Sequence, residues 1–66
     1  MKNTVHVQRA IHHMTQTDLS EAIGVSRQTI SSIEKNRYVP STVLALKMAK
    51  LFKVPVEDIF ELEEED

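Results

Sequence analysis

Arg27, Gln28, Ser31, Ser32 and Lys35 place polar and cationic side chains close together, with no general base or set of metal ligands beside them. At about 100° per residue they fall on one side of a helix, and Ile30 and Ile33 fall on the other. The chemistry such a face can do is recognition rather than catalysis. Arginine pairs with O6 and N7 of guanine, glutamine with N6 and N7 of adenine, and serine or lysine with bases or phosphates, so the face suits the major groove of a duplex. A solvated helix face has the same composition, and the pattern alone does not choose between the two.

The neighbouring chain does choose. From Gln16 to Lys35 the sequence reads as two short helices joined at Gly24, the only glycine. Thr15 can accept from the free amides of the first helix, Asp18 sits where the helix dipole favours a negative charge, and Met14 can staple onto Leu19. Ser26 caps the second helix and Val25 can staple onto Ile30. Gly24 supplies the left-handed residue that ends the first helix without a Cβ clash. Two capped helices around one tight corner make a helix-turn-helix at residues 16–35.

The run from Met14 to Ser41, MTQTDLSEAIGVSRQTISSIEKNRYVPS, resembles the phage-repressor and Cro type of regulator, the Xre family. Nearly the whole chain, from about Val5 to Phe60, can be laid on that pattern. The resemblance implies an all-α, five-helix lambda-repressor-like helix-turn-helix domain, with short terminal strands as an option. It also implies a sequence-specific DNA-binding transcriptional regulator, a repressor rather than an enzyme. On this pattern Gln16 binds a phosphate and braces Gln28, while Arg27, Gln28 and Ser32 reach base edges. Ser31 and Lys35 flank them, and Ser26, Asn36, Arg37 and Tyr38 meet the DNA backbone. Tyr38 could equally pack its ring over the core edge. The resemblance further pairs Arg9 with Glu34, locking the reading helix to the first helix; a solvated arginine is the alternative.

A domain this small is expected to bind a pseudo-palindromic operator in double-stranded DNA as a homodimer, with half-sites about 34 to 36 Å apart. Val56, Phe60, Leu62 and Leu46 are the candidates for the dimer contact. The competing function is a protein-interaction module, an antitoxin or coactivator-like adaptor on the same scaffold, for which Val43, Leu46 and the acidic end leave room.

Composition bounds these readings. Sixty-six residues are read as one domain, 1–62, followed by an acidic tail, 63–66, with no small-molecule effector domain. A chain of this size buries only about 60% of the surface its unfolded form exposes, so the core is thin. Without cysteine there are no disulfides or thiolate metal sites, and no cofactor is expected. There is no apolar run of membrane-spanning length and the first residues lack the apolar core of a signal peptide, so a cytoplasmic protein is expected and no membrane partner. The net charge of -2 divides unevenly: residues 1–60 hold eight bases and five acids, whereas residues 61–66 hold five acids and no base. Arg27, Lys35 and Arg37 gather positive charge where phosphates would approach.

Taken in order, residues 1–4 are expected to be loose. Val5 to His13 is expected as a helix whose Val7, Ala10, Ile11 and Met14 share a face, although Thr-Val-His-Val also alternates like a strand. His12 and His13 point about 100° apart and do not suit one metal ion; they fit a helix end, where a histidinium is favoured. Asn36 can end the reading helix in the left-handed region, Pro40 keeps Val39 extended, and Ser41 caps the next helix. Thr42 to Phe52 should turn Leu44, Ala45, Met48, Ala49, Leu51 and Phe52 inward and leave Val43, Leu46, Lys47 and Lys50 outside. Val56 to Phe60 is expected as a short fifth helix, Leu62 as part of a short strand or dimer contact, and Glu63 to Asp66 as a solubilising, disordered tail.

Overall fold

Three of the helices begin on a side-chain cap, as the sequence predicts. In the computed structural model, which describes residues 1–66, the helices are α1 (Val5–Ile11), α2 (Gln16–Ile23), α3 (Arg27–Glu34) and α4 (Thr42–Phe52). Thr15 accepts from the Asp18 amide and the Asp18 carboxylate accepts from the Thr15 amide, a reciprocal capping box. Ser26 accepts from the Thr29 amide, and Ser41 accepts from the Leu44 amide. Gly24 ends α2 at φ 79°, in the left-handed region.

α3 ends without glycine. Asn36 takes φ 60°, and its amide and that of Arg37 turn back to the carbonyls of Ile33 and Ser32 at 3.0 and 2.9 Å. This pair of reversed bonds satisfies carbonyls that the helix itself leaves open. His13 does the same for α1, at φ 55°, with its own amide on Ala10 and that of Met14 on Arg9. The first helix therefore stops at Ile11, two residues before the expected end.

Eight apolar side chains form the core: Val5, Leu19, Ile23, Ile30, Ile33, Met48, Phe52 and Ile59. Met14, Val25, Leu44, Ala49, Leu51, Val54 and Phe60 pack around it. In α4 the expected division holds, with Met48 and Phe52 buried and Val43, Leu46, Lys47 and Lys50 exposed.

In α1 the expected face is wrong. Val7, Ala10 and Ile11 are exposed, and the helix turns Val5 and Arg9 inward. Residues two apart on a helix point about 200° apart, so these two faces exclude each other. The roll is set by bonds at both ends of the helix: Arg9 reaches across to Glu34, while the Thr4 amide donates to the Ile59 carbonyl at 2.8 Å. His12 then lies over the core edge, its ring centroid 5.3 Å from that of Phe52.

At the chain ends the optional terminal strands form, while the loose start and the fifth helix do not. Lys2–Asn3 is a strand, β1, paired antiparallel with β2 (Phe60–Glu61), with Asn3 opposite Phe60. The expected fifth helix is a single 3-10 turn, Val56–Asp58, because the chain leaves it at once to pair with β1. Four α-helices and a two-stranded sheet thus replace the five helices. Leu62 lies just beyond β2 and is exposed.

Glu63 to Asp66 does not trail away. The Met1 ammonium lies 3.1 Å from Glu63 Oε1 and 3.1 Å from Asp66 Oδ2, and the Glu63 amide donates to Asp66. Hydrogen bonds to Asp66 and Glu63 raise the pKa of that amine, and those from the Glu63 amide and the Met1 ammonium lower that of Asp66. No helix is long and apolar enough to cross a membrane.

Candidate nucleic-acid interface

Ile30 and Ile33 anchor α3 in the core, which leaves its remaining faces to solvent or to neighbouring loops. Arg27, Gln28 and Lys35 are exposed; Ser31 and Ser32 are half-buried. Ser26, Gln28, Thr29 and Ser32 line an open groove of about 460 Å³ together with Val25, Arg37, Tyr38 and Leu44. The structure therefore brings five predicted site residues to one concavity: Ser26, Gln28, Ser32, Arg37 and Tyr38. Gln16, Arg27, Ser31, Lys35 and Asn36 lie outside the groove lining.

None of Arg27, Lys35 and Arg37 is engaged in an ion pair, so their charge is available to a ligand. The inward arginine, Arg9, is committed. Its Nε donates to Glu34 Oε2 at 2.6 Å and its Nη2 to Oε1 at 3.1 Å, while Nη1 donates to the Met14 carbonyl at 3.1 Å. The two side chains are only 19% and 10% exposed. Burial acts to raise the Glu34 pKa; hydrogen bonds from Arg9 and Gln16, with the charges of Arg9 and His6, outweigh it and hold the carboxyl below its ordinary value. The Arg9 guanidinium is shifted up by its bond to Glu34, against burial.

Gln16 joins this network rather than Gln28. Its Nε2 donates to Glu34 Oε1 at 3.0 Å, so the expected brace to Gln28 gives way to a stronger, charged acceptor. Gln16, at the start of α2, is thereby tied to the last residue of α3.

Two residues near the site escaped sequence reasoning. Thr29 lines the groove and its hydroxyl lies 2.9 Å from that of Ser26, a contact that their three-residue spacing could have signalled. Asn3 reaches the end of α3 and bonds to Asn36. No local pattern could have signalled that, because thirty residues separate Asn3 from Ile33.

The model of the family described as helix-turn-helix matches residues 8–59. The chain belongs to this helix-turn-helix family. Within it, the chain is similar to the uncharacterized HTH-type transcriptional regulator MJ0272 of Methanocaldococcus jannaschii, 53% identical over 66 residues and the full length of both. It is equally similar in extent to the uncharacterized HTH-type transcriptional regulator YgzD of Bacillus subtilis, 52% identical over the full length of both. The ImmF control region 10 kDa protein of Bacillus phage phi105 is 40% identical over 42 residues, which cover 64% of this chain and 47% of that one. The family match includes α2, the corner, α3 and α4, and leaves β1 and β2 outside it.

Proposed function

We propose that the protein is a sequence-specific DNA-binding transcriptional regulator, without catalytic activity of its own, that represses transcription in the cytoplasm. The observation that carries the reading is the groove beside α3, lined by Gln28 and Ser32 together with Arg37 and Tyr38, where no salt bridge competes for Arg37. Gln28, Ser32 and the neighbouring Arg27 read base edges; Ser26, Lys35, Asn36, Arg37 and Tyr38 hold the phosphates, with Ser31 alongside. Gln16 takes a phosphate with the amide hydrogen that Glu34 leaves unused. Positioning and reading are separate tasks for separate residues.

The exposed Leu46 and Leu62 favour association of two copies on a pseudo-palindromic site, whereas Val56 and Phe60 are half-buried within the monomer. Sedimentation at micromolar concentration should show a dimer that Leu46→Glu or Leu62→Glu dissociates; a monomer under all conditions would remove this part.

The deciding experiment is fluorescence anisotropy against duplex DNA from upstream of the protein's own gene, beside a scrambled duplex, across a salt series. Specific binding that survives physiological salt on the upstream duplex supports the reading. Gln28→Ala should then relax preference at one or two base pairs by about 1 to 3 kcal/mol, while Arg37→Ala weakens all duplexes alike and flattens the salt slope. Equal, weak binding to both duplexes that vanishes with salt would instead favour the adaptor function.

A further inference from the structure

We propose that Asn3, on the short strand β1, is a positioning residue for DNA binding: it turns the amide donor end of Asn36 outward, toward a backbone phosphate. The inference rests on the reading of α3 and the loop after it as the DNA-contacting surface.

The geometry runs through two carboxamides. Asn3 Oδ1 accepts from the Val5 amide at 3.2 Å, and Asn3 Nδ2 donates to the Ile33 carbonyl at 2.9 Å. A backbone N–H can only donate and a carbonyl can only accept, so these two bonds fix which end of Asn3 is oxygen and which is nitrogen. Nδ2 also lies 2.9 Å from the side chain of Asn36, and it can be met there only by the oxygen, Oδ1. With that oxygen engaged, Asn36 is left with two N–H donors and an exposed position from which to use them.

The orientation matters because phosphate oxygens only accept. An Asn36 turned the other way would present its oxygen to the phosphate and repel it.

The backbone of Asn36 is as constrained as its side chain. It sits at φ 60°, and its amide shares the Ile33 carbonyl with Asn3 Nδ2, so one acceptor at the end of α3 locates both asparagines. Asn3 is itself held by the pairing of β1 with β2, where it lies opposite Phe60, and by the neighbouring Thr4 amide on Ile59. The small sheet thus has a task at the C-terminal end of α3. It sets the direction of a phosphate donor beside Arg37 and Tyr38.

The test is a double-mutant cycle read by anisotropy on a short, labelled duplex of mixed sequence at low ionic strength, because a phosphate contact is independent of sequence. Asn36→Gly removes the side chain while keeping a residue at ease in the left-handed region. Asn3→Ala removes the positioning group. Each change should weaken binding by roughly three- to tenfold, and the double variant should bind no more weakly than Asn36→Gly. The salt slope should be unchanged throughout, since asparagine releases no counterion.

A role for Asn3 limited to tying the end of α3 would give the same loss with or without the Asn36 side chain, so losses that multiply overturn the proposal. Unchanged affinity of a folded Asn3→Ala overturns it too. A second measurement uses the wild type alone: titration with the duplex should shift the Asn36 side-chain amide resonances in a nitrogen-15 spectrum, and unmoved resonances count against the contact even if Asn3→Ala does not fold. A wild type that binds no duplex at low salt removes the DNA reading and this inference with it, an outcome distinct from binding with a multiplicative cycle.

Discussion

Helices α1 and α3 are nearly equal in length, seven and eight residues, yet opposite forces hold them. α3 is held by apolar burial: Ile33 is 1% exposed and Ile30 fully buried. α1 buries only Val5, leaves Ile11 60% exposed, and is held by the Arg9 guanidinium and by backbone bonds at its ends. An apolar stripe turns inward when nothing stronger orients its helix. In α1 a charged anchor and the pairing of the chain ends are stronger, and the stripe is left outside.

Breaking each anchor tests that contrast. Ile33→Ala should cost about 3 kcal/mol in urea denaturation through lost burial and the cavity left behind. A loss below about 1 kcal/mol would mean that α3 is not held by its isoleucines. Arg9→Ala comes next, at about 2 kcal/mol: it strands the Glu34 carboxylate, and partial exposure keeps the cost below that of a fully buried pair. Adding Glu34→Ala should then cost less than its effect alone, because the stranded charge is gone. Fully additive losses would show that the pair is not coupled.

The pair also carries a pH signature. The Glu34 carboxyl is held below its ordinary value in the folded state, so the unfolded chain binds the proton first. Its contribution to stability is fully present above the ordinary carboxylate range, about pH 4 to 5, and is lost as pH falls through the lowered folded value. Glu34→Gln should flatten this acid limb of the stability curve, and an unchanged limb would place the acid sensitivity elsewhere. The smallest effect belongs to the exposed stripe: Ile11→Ser should change stability by no more than about 0.5 kcal/mol. A loss as large as that of Ile33→Ala would mean that the face is covered after all, for example by a second copy.

Sequence reasoning succeeded and failed along the same division. The caps at Thr15, Ser26 and Ser41, the left-handed Gly24 and Asn36, and the inward faces of α3 and α4 were all legible from the residues, because each device acts over at most a few residues. The inward face of α1 was legible only in Arg9, whose pairing with Glu34 the family resemblance implied. Its apolar spacing pointed to Val7 and Ile11, and the forces that overrode it come from Glu34 and Ile59, far along the chain. Five residues of the groove lining, Ser26, Gln28, Ser32, Arg37 and Tyr38, were named in advance; Thr29 and Asn3 were not, and Gln16 was given the wrong partner.

The amino-acid sequence by itself determined the helix-turn-helix, its polar outer face and the charges placed around it. These follow from hydrogen bonds and periodicities closed within single turns. The tertiary structure decided the roll of α1, the closing of both chain ends into a sheet, the choice of Glu34 over Gln28 for Gln16, and the contact of Asn3 with Asn36. In each of these a polar group found its partner eighteen or more residues away. Such partners compete on strength and geometry only once the core has brought them together, and no local pattern records the outcome.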